Sequence, residues 1–181
     1  MAPLFNRKGF AGTSLSDLEA ATGLTKGSIY GNFRDKNEVA VEAFRYNYGA
    51  LMREVRMVVD AVSGAANKLL AFSDFYRNSY PRLFKSGGCA ILNTATDADD
   101  GNAALRREVV GALEGWKKYL EKIVQDGTSA GEFGKVDPEP FACRFIAIIE
   151  GSIMLAKTTG EPRYLMHNLN SLSAEIRALG K

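Results

Sequence analysis

The sequence predicts an all-α fold with a small N-terminal helix-turn-helix head, a long connecting helix and a larger helical body. Two observations support this prediction. Apolar residues recur at alternating spacings of three and four along most of the chain, which places them on one face of a helix. Capping residues and glycines divide this pattern into segments of ordinary helix length. No pattern typical of strands and no repeat competes with the helices.

Length and composition are those of an ordinary globular protein. A chain of 181 residues can hold a small domain joined to a larger one. The apolar fraction of 46% and the charged fraction of 24% argue against a disordered chain and against a membrane protein. The net charge of +2 is too small to indicate nucleic-acid binding by itself, so that function must rest on a motif.

Export and metal binding are not indicated. No apolar segment follows a basic N-terminus, and no stretch approaches the roughly 18 apolar residues of a membrane span, so we expect a cytoplasmic protein without membrane contact. Cys89 and Cys143 lie far apart, with no histidine at ligand spacing. They predict reduced thiols, and neither a disulfide framework nor a zinc site. We expect no cofactor and no metal.

The helix-turn-helix motif lies within residues 13–36, and its first helix begins just after Ser14. Ser14 is the predicted N-cap, and Asp17, three residues later, gives a variant of the capping box. Gly23 follows the last residue of the apolar pattern, where glycine adopts a left-handed C-cap conformation at little cost. These signals predict a helix of about two turns.

The turn and the second helix follow at once. Leu24 is expected to fold back onto the first helix, and Thr25 caps a second helix over Lys26–Asn32. Ile29 and Phe33 are predicted to face inward, which leaves a polar face outside. In a helix-turn-helix, the N-terminal half of such a second helix enters the major groove with its free N–H groups near phosphates. The motif therefore predicts binding to double-stranded DNA.

The head resembles the DNA-binding motif of the TetR family of bacterial one-component transcription regulators in the run T-S-L-x-D-L-x-x-A-T-G-L-T-K-G-S-I-Y-x-N-F-x-D-K-x-E. The motif spans Phe10 to about Phe44, and the all-helical remainder resembles the family's regulatory domain. The resemblance implies three partners: a double-stranded DNA operator, a small-molecule effector and a second copy of the chain.

The resemblance also implies roles for individual residues of the head. Residues of the recognition helix approach bases or phosphates, and residues at the starts of the neighbouring helices hold the DNA backbone. Gly31 stands where relatives commonly have a histidine or an aromatic residue, so that contact is absent, and Gly27 and Gly31 each cost the helix ~1 kcal/mol relative to alanine. The residues expected at the DNA are Ser14, Ser16, Thr25, Lys26, Gly27, Ser28, Tyr30, Gly31, Asn32 and Lys36.

The first helix of the head is shorter than the family's. The resemblance implies a full helix packed across the motif, whereas the sequence has only its last turns, roughly Ala2 to Arg7. With about a dozen residues of that helix missing, we expect a head of marginal stability. An alternative hypothesis follows, in which the chain is a ligand-binding helical dimer that has lost sequence-specific DNA binding through this truncation.

The later helices are predicted from apolar spacing and from breaks. Asp35 and Glu38 form a D-x-x-E cap for the connecting helix, and Ser63-Gly64 ends it. We place a DNA-binding domain at 1–46 and a regulatory and dimerisation domain at 47–181. The predicted helices are Val41–Val62, Leu69–Leu83, Ala90–Ala98, Leu105–Ile123 with an end at Asp126–Gly127, Pro138–Lys157 and Pro162–Leu179.

The body has no arrangement of residues typical of catalysis. His167, the only histidine, lies off the apolar stripe of its helix and is expected to be solvated or at an interface. We therefore do not expect an enzyme, and an all-α enzyme is the weaker alternative. Cys143 is expected to pack beside Phe141 and Phe145. Cys89 begins a helix, where the dipole can make a thiol reactive, but a buried and inert cysteine is the alternative.

The resemblance implies a ligand cavity in the body. Aromatic residues at helical spacing can line such a cavity, with Asn93, Thr96 or Asp97 as polar anchors, or they can form plain core. The residues expected around the ligand are Phe72, Tyr76, Tyr80, Cys89, Asn93, Trp116, Tyr119 and Phe145.

The last two helices predict the dimer. They combine apolar stripes with the small residues Ala147, Gly151 and Ser152, so pairing with their symmetry mates would form a four-helix bundle. Alternatively, they cover only their own chain. A twofold dimer can place two heads about 34–36 Å apart in successive major grooves. We therefore predict a homodimeric repressor of a near-palindromic operator, whose small apolar or aromatic ligand tilts the connecting helix and releases the DNA.

Overall fold

The structure is a computed structural model that describes residues 1–180, and it confirms the all-α prediction. Within these residues, β structure is limited to an isolated bridge between Phe133 and Gly180. In the described part of the chain, no helix is long and apolar enough to cross a membrane. The helices are α1 (Ala2–Lys8), α2 (Leu15–Thr22), α3 (Lys26–Asn32), α4 (Lys36–Asp60), α5 (Ala65–Lys85), α6 (Ala90–Ala98), α7 (Ala103–Ser129), α8 (Pro138–Thr159) and α9 (Arg163–Ala178).

The helices form two compact units. The first unit comprises Met1–Leu51 and Lys85–Leu113, and the second comprises Met52–Phe84 and the chain from Glu114 onward. Helix α6 and the first part of α7 therefore belong to the unit of the helix-turn-helix. The predicted domain boundary at residue 46 falls inside α4 and stays a prediction.

Local capping defines the helix-turn-helix as the sequence predicts. Ser14 and Asp17 accept each other's backbone N–H groups and form a reciprocal capping box at the start of α2. Gly23 ends α2 with a φ of 70°, a left-handed conformation that favours glycine. Thr25 caps α3 by accepting the N–H of Ser28. The predicted bounds of both helices are confirmed.

Leu24 and Cys143 are more exposed than predicted. Leu24 is 43% exposed, because a hydrogen bond from its N–H to Thr22 Oγ1 fixes the turn and its side chain stays outside. Cys143 is exposed, because residues two apart lie on opposite sides of a helix and its neighbours Phe141 and Phe145 are buried. Both packing predictions were wrong.

Helix α7 continues past its predicted end at Asp126–Gly127 and stops at Ser129. A Cβ atom placed on Gly127 would lie 2.5 Å from the Cβ of Ala65 and 2.6 Å from the Phe133 ring. This glycine therefore permits close packing of neighbouring elements and does not end the helix. Gly131, with a φ of 75°, follows in the turn after the helix.

Candidate functional site

The recognition helix α3 has a buried side and a polar exposed side. Ile29 is 1% exposed and anchors the helix to the head, as predicted. Tyr30 is half-buried. The exposed residues of the predicted DNA-binding set in and before α3 are Thr25, Lys26, Gly27, Ser28, Gly31 and Asn32.

Hydrogen bonds fix the polar side of α3. Thr25 Oγ1 accepts the N–H of Ser28 at 3.2 Å and lies 3.1 Å from the Ser28 hydroxyl. The side-chain amide of Asn32 donates to the carbonyl of Ser28 at 2.9 Å. These bonds order the side chains in their exposed positions. Lys26 adds a positive charge at the N-terminal end, where the helix dipole also favours an anion such as a phosphate.

Glu19 places a carboxylate at the same end of α3. Its Oε1 atom accepts the backbone N–H of Lys26 at 2.7 Å, so one free N–H group of the first turn is already occupied. A negative charge beside a helix N-terminus is favourable for the helix, but it opposes the approach of a phosphate. This contact is not predicted from the sequence, and its only sequence signal is an acidic residue in the last turn of the helix that precedes α3.

Ser14 and Asp17 form a small network with Lys8 at the start of α2. The Ser14 hydroxyl accepts the N–H of Asp17 at 3.1 Å and donates to Asp17 Oδ2 at 2.8 Å, and Lys8 Nζ lies 2.6 Å from Asp17 Oδ1. The bond from Lys8 and those from Ser14 lower the pKa of Asp17 to about 2. Ser14 and Ser16 are exposed, so both hydroxyls are accessible from solution.

Lys36 begins α4 behind the recognition helix. Its Nζ atom lies 4.4 Å from the centroid of the Phe10 ring, a cation–π contact that positions the side chain. The N–H of Glu38 donates to Asp35 Oδ1 at 3.0 Å and lowers the pKa of Asp35, while the N–H of Arg34 donates to Glu38 Oε2 at 2.6 Å. The predicted D-x-x-E cap is confirmed.

Two side-chain amides tie α6 to α1 within the first unit. Asn6 donates to the carbonyls of Ser86 and Gly88 at 2.9 and 3.1 Å. Asn93 donates to the carbonyls of Asn6 and Gly87 at 2.9 and 2.8 Å. A Cβ on Gly87 would lie 2.9 Å from the Asn6 carbonyl oxygen, and its φ is 110°, so only glycine fits there. Asn93, a predicted ligand residue, is thus engaged by the head.

An aromatic cluster fills the second unit. The Phe72 ring is stacked on Trp116 at 5.8 Å and meets Phe145 edge-on at 5.3 Å. Tyr76 is stacked on Trp116 at 6.2 Å, and Tyr119 lies 6.2 Å from Phe72. The structure thus brings these predicted ligand residues together. All except Tyr119 are at most 1% exposed.

The cluster contains buried polar atoms. Tyr119 donates to Asp60 Oδ1 at 3.0 Å, and burial together with this hydrogen bond raises the pKa of Tyr119 to about 12. Within the described residues, Trp116 Nε1 and Ser73 Oγ have no hydrogen-bond partner although both residues are fully buried. Sequence analysis missed Ser73, whose signal is a hydroxyl inside the apolar stripe of α5.

The other predicted ligand residues have different neighbours. The Tyr80 ring meets Phe84 edge-on at 5.6 Å. Cys89 is 1% exposed and belongs with Asn93 to the first unit, where Asp97 accepts the N–H of Phe10. The burial of Cys89 confirms the alternative of a buried cysteine, and any role of these residues at a ligand stays a prediction.

A groove of about 710 Å³ opens on the surface of the second unit. Its apolar lining includes Met57, Val58 and Phe75, and Met57 is 66% exposed. The Phe75 ring also meets the Tyr76 ring edge-on at 5.4 Å. The groove therefore reaches the outer wall of the aromatic cluster.

Each of the last two helices presents a largely exposed row that includes several small residues. Each row follows the spacing of three and four that defines one side of a helix. His167 lies in the row of α9 and is exposed, which confirms the prediction that it is not core. The row of α8 is Cys143, Ala147, Gly151, Met154 and Leu155, of which Gly151 is half-buried, and the row of α9 is His167, Ser171, Ala174 and Ala178. Ser152, predicted to lie at the same surface as Ala147 and Gly151, is 1% exposed and packs within its own chain, so that part of the prediction was wrong.

Comparison with known proteins matches the N-terminal part and the helical body of the chain to known sequence families. The sequence profile described as "Bacterial regulatory proteins, tetR family" matches residues 2–43, and the profile described as "Tetracyclin repressor-like, C-terminal domain" matches residues 65–172. The HTH-type transcriptional repressor DhaR of Mycobacterium sp. (strain GP1) is 23% identical over 155 residues, which are 85% of this chain and 77% of that protein.

Two crystal structures agree with the whole fold. A transcriptional regulator of the TetR family from Cytophaga hutchinsonii is 42% identical, with a TM-score of 0.94, and the match covers 99% of this chain and 90% of that one. A TetR transcriptional regulator from Chloroflexus aurantiacus is 36% identical, with a TM-score of 0.91 and coverage of 97% and 89%. The similarity includes the helix-turn-helix and the helical body together.

Proposed function

Because the chain belongs to the TetR family of bacterial regulatory proteins, we propose that it is a ligand-responsive repressor that binds a near-palindromic operator as a homodimer. The family comprises DNA-binding transcription regulators and not enzymes. The ligand is a small apolar or aromatic molecule that releases the repressor from DNA. The protein acts in the cytoplasm, where bacterial DNA lies.

The observation that supports DNA binding most directly is the exposed and capped recognition helix. Helix α3 presents ordered polar side chains and Lys26 around its N-terminal turn, where a phosphate is favoured. Ser14, Ser16 and Lys36, at the starts of α2 and α4, hold the DNA backbone. Base and phosphate contacts come from Thr25, Lys26, Gly27, Ser28, Tyr30, Gly31 and Asn32.

The small-residue rows of α8 and α9 support a dimer. Small side chains let two helices approach closely, and a twofold axis between copies of these rows gives a four-helix bundle. One recognition helix contacts only a few base pairs. Two heads about 34–36 Å apart contact successive turns of the major groove and recognise a near-palindrome.

Helix α4 provides the route from ligand to DNA. It is one continuous helix whose first part belongs to the first unit and whose last part belongs to the second. A ligand that changes the packing around its C-terminal part tilts the helix and alters the spacing of the two heads. Ligand and operator then oppose each other by the same factor, since coupling between two sites is reciprocal.

Fluorescence anisotropy tests the proposal. The chain is titrated onto the duplex upstream of its own gene and onto a shuffled duplex, at several salt concentrations. We expect preference for the upstream duplex and an affinity that falls steeply with salt. Lys26→Ala lowers the affinity and reduces the salt slope by about one phosphate contact, whereas Lys118→Ala, an exposed lysine of α7, changes neither.

Equal and weak binding to both duplexes would contradict the proposal. It would favour the alternative of a ligand-binding dimer without sequence-specific DNA binding. Two features favour that alternative over other classes: glycines at positions 27 and 31 weaken α3, and neither glycine offers a side chain to a base.

A further inference from the structure

The indole N–H of Trp116 is a buried donor without a partner. Trp116 is fully buried, and its Nε1 atom has no hydrogen-bond acceptor among residues 1–180. An unsatisfied buried donor costs a folded protein about 1–3 kcal/mol, so native proteins rarely keep one without a reason. Indole nitrogen only donates. A group that relieves this cost must therefore supply an acceptor.

The surroundings of this donor are flat and apolar. Trp116 lies nearly parallel to Phe72 and to Tyr76, with interplanar angles of 3° and 19°. Phe72 and Tyr76 are themselves 17° apart in orientation. Parallel ring faces favour stacking with another planar ring. Ser73, one helical turn before Tyr76, adds a second fully buried polar atom without a partner in the described chain.

The groove beside Phe75 borders these rings through the contact of Phe75 with Tyr76. Phe75 lines the groove and touches Tyr76, which is stacked on Trp116. The carboxylates of the groove are both paired, Asp74 with Arg77 at 3.1 Å and Glu54 with Arg82. With its charges compensated and an apolar lining, the groove favours an uncharged molecule. Because Trp116 is fully buried, a ligand reaches it from this groove only if side chains such as Phe75 are displaced.

We propose that the ligand is an uncharged, flat aromatic molecule with an oxygen acceptor, which stacks on Phe72 and Tyr76 and accepts a hydrogen bond from Trp116 Nε1. This inference rests on the proposed function, because it names the chemical class of the ligand of that repressor. Aryl ketones are the simplest members of the class. Pure hydrocarbons leave the donor unsatisfied, and aromatic carboxylates bring a charge that the groove and the rings do not compensate.

The single tryptophan allows a direct test. Trp116 is the only tryptophan in the sequence, so a nitrogen–proton NMR spectrum of the labelled full chain shows one indole N–H signal. The probes are acetophenone and ethylbenzene, which have similar shapes but differ in the ketone oxygen. Acetophenone is expected to move this signal downfield as the hydrogen bond forms, and ethylbenzene is not. Equal shifts with both probes, or no shift with either, would overturn the inference.

Calorimetry with a variant identifies the donor. We expect the wild-type chain to bind acetophenone about tenfold more tightly than ethylbenzene, because one net hydrogen bond is gained. A purely apolar cavity would prefer the hydrocarbon. In Trp116→Phe the preference for the ketone is expected to vanish, and a retained preference would overturn the assignment of Trp116. If that variant does not fold, the NMR result on the native chain decides.

Neither the NMR nor the calorimetry experiment includes DNA, so the proposed repressor function and the proposed ligand class can fail separately. If the chain shows no operator preference in the anisotropy assay but still prefers the ketone, the proposal of a repressor is contradicted and the proposed ligand site stands. A chain that prefers its operator but binds neither probe, or binds both equally, would contradict only the ligand class.

Discussion

At the scale of single residues, the negative charge of Glu19 opposes the proposed contact between α3 and a DNA phosphate. Its carboxylate accepts the N–H of Lys26 at the end of α3 that faces a phosphate in our proposal. Glu19→Gln keeps an oxygen acceptor and removes the charge. We expect operator affinity to rise about two- to fivefold at low salt, since the carboxylate repels a phosphate a few ångströms away by up to about 1 kcal/mol in water.

Anisotropy at two salt concentrations measures this effect. The gain is expected to shrink at high salt because exposed charges are screened. Glu139→Gln, at an exposed glutamate near the start of α8, is the matched control and should leave the affinity unchanged. A lower affinity for Glu19→Gln would mean that the carboxylate acts mainly by holding α3 in place.

Asp17 makes the stability of the head depend on acid. The folded pKa of about 2 lies below the ordinary value of 3.8, so the stabilisation is present above about pH 4 and is lost as the pH falls through about 2. Asp17→Asn removes this contribution. We expect the difference in thermal midpoint between wild type and variant to be constant near neutral pH and to shrink towards pH 2. Asp100→Asn, at an exposed turn, is the matched control for the loss of one carboxylate.

Residue-scale prediction succeeded where a role depends on near neighbours in the chain. The caps at Ser14, Gly23 and Thr25 are confirmed because each requires only a turn of helix on one side. The contact of Glu19 with Lys26 was missed, and so was the buried hydroxyl of Ser73, which has no partner in the described part of the chain. Both depend on how two helices dock, which local patterns do not specify.

At the scale of the element, glycine has opposite roles in two helices. Among residues 1–180, a Cβ on Gly31 in α3 would meet no atom within 4 Å, whereas one on Gly127 in α7 would lie 2.5 Å from Ala65 Cβ. Gly31→Ala is therefore expected to stabilise the protein by about 0.5–1 kcal/mol. Gly127→Ala is expected to destabilise it by about 1–3 kcal/mol because the site is already full.

Urea unfolding followed by circular dichroism tests the pair. The midpoint should move up for Gly31→Ala and down for Gly127→Ala. Two shifts of the same sign would contradict the argument, because both glycines are helical and only the surrounding space differs.

The link between α1 and α6 is a second prediction at this scale. Asn93→Ala removes the donor shared by the carbonyls of Asn6 and Gly87. These groups are buried or nearly so, so we expect a loss of about 1–3 kcal/mol in the free energy of unfolding. Asn78→Ala, at an exposed position of α5, is the control and should change stability little. An unchanged urea midpoint for Asn93→Ala would show that the link is not stabilising.

Element boundaries were predictable where a break was chemical. Gly23 and the D-x-x-E cap at Asp35 mark an end and a start that the structure confirms. Ser63-Gly64 follows the end of α4, which stops at Asp60, two residues before the predicted end at Val62. The end of α7 was not predictable, because Gly127 resembles a C-cap in the sequence but allows close packing against Phe133 in the structure. Glycine occurs both at helix ends and at close packing contacts, and only the three-dimensional structure distinguishes the two cases.

At the scale of the whole molecule, the division into units could not be predicted. The contacts of Asn6 with Asn93 join residues that are 87 positions apart in the sequence. The apolar periodicity within α1 or within α6 does not predict such contacts. The aromatic cluster was partly predictable, since Phe72, Tyr76 and Trp116 follow helical spacing. Tyr80 has the same spacing but its ring meets Phe84, because it lies one turn farther along α5.

The dimer gives the last prediction. Gly151 is a half-buried member of the α8 row, and among residues 1–180 a Cβ there would meet no atom within 4 Å. Gly151→Arg is therefore expected to leave the fold of one copy intact and to block a second helix from approaching. Gly111→Arg makes the same change at an open, exposed helical glycine of α7 and serves as the control.

Light scattering during size-exclusion chromatography measures the outcome. We expect the mass of one chain for Gly151→Arg and of two chains for wild type and Gly111→Arg. Operator affinity should then fall at least about a hundredfold in Gly151→Arg alone, because two linked heads gain from each other's proximity. A dimer mass for Gly151→Arg, with helicity unchanged, would place the interface elsewhere and would leave the small-residue rows of α8 and α9 as ordinary surface.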